Sequence, residues 1–127
     1  MMAMLTTFIV DDERLARDEL RFLLADHPEA EVVGEADGVD AAREALAHLQ
    51  PDVIFLDVQL RGESGLDLLD YVPASSKIIF VTGFEEQALQ ELEERAFEYL
   101  LKPVNPARLA RVLERLAHNG AGAPASR

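Results

Sequence analysis

The fold class this sequence predicts is α/β: a (βα)5 unit with a parallel, five-stranded sheet over residues 5–117. Three observations carry the prediction. Five short apolar runs alternate with stretches of helical periodicity. Three of those runs are nearly continuous Val, Ile, Leu and Phe, as expected of strands covered on both faces. Gly and Pro fall mostly at the junctions (Pro28, Gly38, Pro51, Gly62, Pro73), where the chain must turn. Strands alternating with helices imply right-handed βαβ crossovers, and those require a parallel sheet.

The elements follow in order. Leu5 to Val10 is the first strand and Glu31-Val32-Val33-Gly34 the second. Val39, Ala42, Leu46 and Leu49 recur at intervals of three and four, which makes one apolar helical stripe. Val53 to Leu56, Lys77 to Val81 and Phe97 to Leu101 are the remaining strands. Leu109, Val112, Leu113 and Leu116 form the stripe of the last helix, with Asn105 as its N-cap and Pro106 in its first turn. Residues 118–127 lack apolar periodicity and read as a flexible linker or tail.

Composition narrows the function. The chain has 127 residues, 49% of them apolar, enough for a core without a staple. With no Cys, disulfide scaffolds, thiolate zinc sites and thiol nucleophiles are excluded. Twelve basic against 24 acidic residues leave a net charge of −12, which argues against binding nucleic acid by this domain itself or an anionic membrane. No apolar run spans a bilayer and none resembles a signal peptide, so a cytoplasmic protein is expected.

The residues that end the strands carry the chemistry. Val10 is followed by Asp11-Asp12, Leu56 by Asp57, Val81 by Thr82 and Leu101 by Lys102-Pro103. In a parallel α/β sheet the strand C-termini open onto one edge, so these groups should converge. Three carboxylates in one pocket repel until some protonate or a cation joins them. Oxygen-only ligation suits Mg²⁺. A carboxylate nucleophile beside a divalent ion, a lysine and a hydroxyl is a phosphoryl-transfer arrangement, and its product is an aspartyl phosphate. Each residue also has a modest reading. Asp11 and Asp12 could cap the first helix, Asp57 and Thr82 could be turn residues, and Lys102 a surface lysine, although the chain has ten Arg and only two Lys.

The segments Ile9-Val10-Asp11-Asp12-Glu13, Phe55-Leu56-Asp57, Phe80-Val81-Thr82-Gly83 and Tyr99-Leu100-Leu101-Lys102-Pro103 strongly resemble bacterial two-component response-regulator receiver domains, over about residues 5–117. The resemblance implies a flavodoxin-like, doubly wound sheet of strand order 2-1-3-4-5. It makes Asp57 the phosphoacceptor, taking phosphate from a sensor histidine kinase. It gives Mg²⁺ to Asp11, Asp12, Asp57 and the backbone carbonyl of Gln59. It makes Thr82 and Tyr99 a switch pair and Lys102 the phosphate-binding lysine, before a proline bond often cis in the family. The segments Asp11 to Arg17, Val33-Gly34-Glu35-Ala36 and Ala96 to Val104 look most like the LytR/AlgR type, whose receivers usually precede a LytTR DNA-binding domain. Two departures stand out: Arg61 where proline is common, and Gly83 where alanine is usual. Both bear on the lifetime of the phosphorylated state.

Three function classes follow. The first is a phospho-accepting signalling module, not an enzyme apart from its own phosphorylation and dephosphorylation. It would control transcription through a DNA-binding domain beyond this chain, or stand alone and act by protein contact. The second is an aspartate-nucleophile phosphohydrolase, disfavoured because position 59 is Gln rather than an acid. The third is a flavodoxin-like cofactor binder, disfavoured because the first strand leads into two carboxylates and not a Gly-rich loop. Acids at Glu85, Glu86, Glu91, Glu93 and Glu94 and bases at Arg108, Arg111 and Arg115 also predict a phosphorylation-dependent homodimer, paired across a two-fold axis.

Overall fold

The computed structural model describes residues 4–83 and 95–119. In chain order come β1 (Leu5–Val10), α1 (Arg14–Leu24), β2 (Ala30–Ala36), α2 (Val39–Leu46) and β3 (Val53–Leu56). A two-stranded hairpin, β4 (Gln59–Leu60) and β5 (Glu63–Ser64), leads into a 3₁₀ helix at Gly65–Tyr71. Then follow β6 (Lys77–Thr82), β7 (Glu98–Leu101) and α3 (Pro106–Asn119). Five parallel strands form one sheet in the order β2-β1-β3-β6-β7, the doubly wound order expected.

Alternating side chains of these strands supply two cores, one on each face of the sheet. Phe8, Val10, Ile54, Leu56 and Phe80 pack against Val39, Ala42 and Leu46 of α2 and against Leu68. Leu5, Ile9, Phe55, Ile79 and Val81 pack against Leu20 and Leu24 of α1 and against all four stripe residues of α3. The central strand β3 is fully buried, which is why it carries no polar residue. The side-chain oxygen of Asn105 accepts from the Arg108 N–H at 3.0 Å, the cap that starts α3. That helix continues through Asn119, past the last residue of its apolar stripe.

The connection after β3 is a 3₁₀ helix and not a full α-helix. Its limits are local. Ser64 caps its start by accepting from the Leu66 N–H at 3.1 Å. At the other end, Pro73 forces Val72 into an extended conformation (φ −83°, ψ 127°). Only seven residues remain between these stops, and short helices of this kind tighten to i→i+3 bonding. The fourth helix expected between β6 and β7, with its five glutamates, lies outside the described residues.

Candidate functional site

Four strand ends build the site, and at three of them (β1, β3 and β7) the ladder extends one residue beyond the strand to fix it. The Asp11 N–H donates to the Ala36 carbonyl (3.1 Å), Asp57 N–H to that of Val10 (3.0 Å) and Lys102 N–H to that of Thr82 (2.9 Å). Because β1 and β3 are neighbours in register, with Val10 opposite Leu56, their terminal aspartates emerge side by side. Asp11 and Asp57 are both buried.

Each of these carboxylates divides its oxygens in the same way. Asp11 Oδ1 accepts from the Glu13 N–H at 2.9 Å, and Asp57 Oδ1 accepts from the Gln59 N–H at 3.0 Å. Their Oδ2 atoms hold the Lys102 ammonium at 2.7 and 2.9 Å. Asp11 does not cap α1, whose N-cap is Glu13 with no side-chain cap bond; Asp11 and Asp57 each close a local turn two residues on, with one oxygen only. Those turns aim the other oxygen at the pocket. Asp12 faces the same pocket and is tied to the hairpin, its Oδ2 accepting from the Arg61 N–H at 3.0 Å.

One oxygen from each of Asp11, Asp12 and Asp57 lies within 4.8 Å of the others. Three carboxylates against one ammonium leave a local charge of about −2, in surroundings that screen poorly. Burial pushes the Asp57 carboxyl above its ordinary value, and the nearby Asp11 charge adds to this. The hydrogen bonds from Lys102 and Gln59 and the Lys102 charge oppose the rise without cancelling it. For Lys102 burial acts downward, but its hydrogen bonds to Asp11 and Asp57 and their charges outweigh it, so its pKa is raised. A compact, oxygen-only donor set with surplus negative charge fits a hard divalent cation.

Thr82 is fully buried at the end of β6 and lines the same mouth as Asp12, Asp57, Gln59 and Lys102. Tyr99 lies away from it, half-buried on β7 opposite Phe80 and packed on the α2-side core. The Lys102–Pro103 bond is cis. Two of the three arginines expected at a dimer face are engaged within the chain: Arg108 and Arg115 both pair with Glu98.

Several supporting residues escaped the sequence reading. A Cβ on Gly65 would sit 2.1 Å from the Asp57 carbonyl oxygen, so only glycine permits the loop after Asp57 to fold back there. A glycine following the N-cap Ser64 was the available signal. Glu63 accepts from the Val39 N–H at 2.9 Å, so a carboxylate from the hairpin caps α2. Arg17 donates to the Asp11 carbonyl (2.7 Å) and, with Arg21, pairs with Glu35. These contacts depend on loop paths and leave no periodic trace.

Comparison with known proteins agrees with this geometry. Residues 7–114 match the family described as the response regulator receiver domain. An uncharacterized response regulatory protein of Vibrio cholerae is 43% identical over 115 residues, covering 89% of this chain and 48% of that protein. The transcriptional regulatory protein BtsR of Escherichia coli K12 is also 43% identical, with the same coverage. The chain thus spans about half the length of the curated relatives it matches. Among solved structures, the response regulatory domain of mrkE from Klebsiella pneumoniae superposes with a TM-score of 0.78 at 32% identity, covering 90% of this chain and 96% of that one. A CheY-like receiver domain from Methylobacillus flagellatus gives 0.76 at 25% identity, covering 90% and 99%. Among the described residues no helix is long and apolar enough to cross a membrane.

Proposed function

This chain belongs to the response regulator receiver domain family, and on that premise we propose that Asp57 is its phosphoacceptor. The observation that carries the reading is the Lys102 ammonium held between Asp11 and Asp57, within a cluster of three aspartates at the sheet edge. An Asp57 carboxylate oxygen attacks phosphorus in the phosphohistidine of a sensor histidine kinase. The new O–P bond forms as the P–N bond breaks, and the imidazole nitrogen keeps the electron pair and takes a proton. Asp11, Asp12, Asp57 and the Gln59 carbonyl would hold Mg²⁺, which supplies charge neutralisation to the phosphoryl oxygens.

This chain's own groups do the rest. Lys102 moves from the Asp57 carboxylate to a phosphoryl oxygen while keeping Asp11, and the Thr82 hydroxyl donates to another. Movement of Thr82 couples to Tyr99, two strand positions from the sheet edge, and alters the surface around β7 and α3. The output is control of transcription in the cytoplasm, through a LytTR-type DNA-binding domain. Two things support this: relatives about twice this length include named transcriptional regulators, and the Ala96 to Val104 segment fits the LytR/AlgR pattern. Homodimerisation of the receiver domain on phosphorylation is part of the same reading, with Arg111 the basic residue of α3 to reverse in testing it.

Intact-mass spectrometry after acetyl phosphate and Mg²⁺ tests the reading. One Mg²⁺-dependent phosphoryl adduct is expected on the native chain and none on Asp57→Asn. An adduct that persists in Asp57→Asn, or none on the native chain with Mg²⁺ bound, would overturn it.

A further inference from the structure

We propose that Arg61 positions the phosphate of the incoming phosphoryl donor at the mouth of the pocket. The inference rests on Asp57 being the phosphoacceptor, and it assigns the donor-recognition role to a residue outside the aspartate–lysine set. Asp12 and Asp57 line the mouth and Asp11 lies beside them, with the Lys102 ammonium between Asp11 and Asp57, in a chain of net charge −12. Mg²⁺ held by the aspartates would offset the charge inside the pocket, and a dianionic donor still gains from a cation that meets it at the entrance. Among the described residues lining the mouth, the cations are Lys102 and Arg61. Lys102 is committed at 2.7 and 2.9 Å to Asp11 and Asp57.

Arg61 is placed differently. Its side chain is 86% exposed, and its Nε is 3.8 Å from Asp12 Oδ2, a loose pair that leaves the fork of N–H donors facing solvent. Its backbone, in contrast, is fixed. The Arg61 N–H donates to Asp12 at 3.0 Å, and the next residue, Gly62, turns the hairpin at φ +74°. The result is an anchored main chain carrying an exposed guanidinium at the entrance. Guanidinium binds phosphate through two parallel N–H···O bonds, which orients the phosphoryl group as well as attracting it. A proline at this position would supply neither the charge nor the N–H bonded to Asp12.

The experiment is the rate of acyl-phosphate labelling of the native chain, Arg61→Ala and Arg61→Lys, followed by intact mass across a range of acetyl phosphate concentrations with Mg²⁺. Arg61→Ala should raise the half-saturating acetyl phosphate about 5- to 10-fold and leave the maximal rate unchanged, the scale of one charge-assisted contact at an exposed site. Arg61→Lys should fall between, keeping the charge without the fork. The native advantage should shrink with added salt, which a purely structural role would not produce. Equal half-saturation in all three chains overturns the inference while leaving Asp57 as acceptor. So does a lowered maximal rate at unchanged half-saturation. No adduct on the native chain overturns both.

Discussion

Replacing Lys102 by Met keeps the length of the stem and removes the ammonium between Asp11 and Asp57. Those carboxylates are about one-fifteenth exposed, at 7% each, so water cannot take over its role. The oxygens left facing each other are at most 4.8 Å apart, and two unit charges at that distance repel by about 3.5 kcal/mol at an effective dielectric of about 20. Protonation sets a ceiling. Holding a carboxyl of ordinary pKa 3.8 neutral near pH 7 costs about 1.4 kcal/mol per pH unit, or roughly 4 kcal/mol. Relaxation and the lost burial cost of the ammonium lower the net figure, so Lys102→Met should lose about 2–3 kcal/mol in chelator near neutral pH. That corresponds to a fall in Tm of roughly 8–12 °C for a domain of this size.

The sign of the pH dependence follows from the carboxyls. Asp57 already binds its proton more tightly folded than unfolded, and losing Lys102 increases that difference. A carboxyl with a raised folded-state pKa makes stability fall as pH rises through the window above its unfolded value. The deficit of Lys102→Met should therefore shrink by half or more at about pH 5. Millimolar Mg²⁺ should also reduce it, because a cation in the same pocket replaces the missing charge. Thermal melts followed by circular dichroism measure all three. A deficit identical at both pH values and unaffected by Mg²⁺ would refute the electrostatic reasoning, leaving lost packing as the cause.

Asp57→Asn should melt a few degrees above the native chain near neutral pH without Mg²⁺, since it removes a carboxylate whose pKa burial has raised. The two melting curves should converge as pH falls below the ordinary aspartate range. Gly65→Ala should cost about 2–4 kcal/mol by chemical denaturation and slow acyl-phosphate labelling, because its Cβ would sit 2.1 Å from the backbone oxygen of Asp57. An unchanged labelling rate would show that the loop tolerates the shift. Glu35→Gln should cost about 0.5–1 kcal/mol near neutral pH, after discounting for the partly exposed Arg21. Burial acts upward on Glu35, but Arg17 and Arg21 outweigh it and its pKa is lowered from 4.5, so its stabilisation is complete above that value and is lost as pH falls below it through the folded-state pKa. A gap between native and variant that persists in acid would contradict the pairing.

The sheet was legible because β1, β3 and β6 are nearly continuous apolar runs, and burial on both faces demands such runs. The site was legible for a related reason. Parallel strands end at one edge, so the residues just beyond Val10, Leu56, Val81 and Leu101 had to converge. The hairpin at 59–64 and the 3₁₀ helix were not, since turn chemistry at Gly62 and Pro73 decided them over too few residues to show a period. On α1, Leu15 and Phe22 are 82% and 76% exposed, which apolarity alone cannot distinguish from core positions. Arg108 and Arg115 read as a free basic face, whereas Glu98 on the adjacent strand engages both. Contacts across elements set the use of a charge, and spacing within a helix does not reveal them.

Chemical localisation of the phosphoryl group tests the central claim most directly. Borohydride reduces an aspartyl phosphate to homoserine, and peptide sequencing by tandem mass spectrometry reports where the conversion occurred. After treatment with acetyl phosphate and Mg²⁺, the account predicts homoserine at position 57 and intact aspartate at positions 11 and 12. Homoserine at position 11 or 12, or conversion spread across the three aspartates, would contradict it.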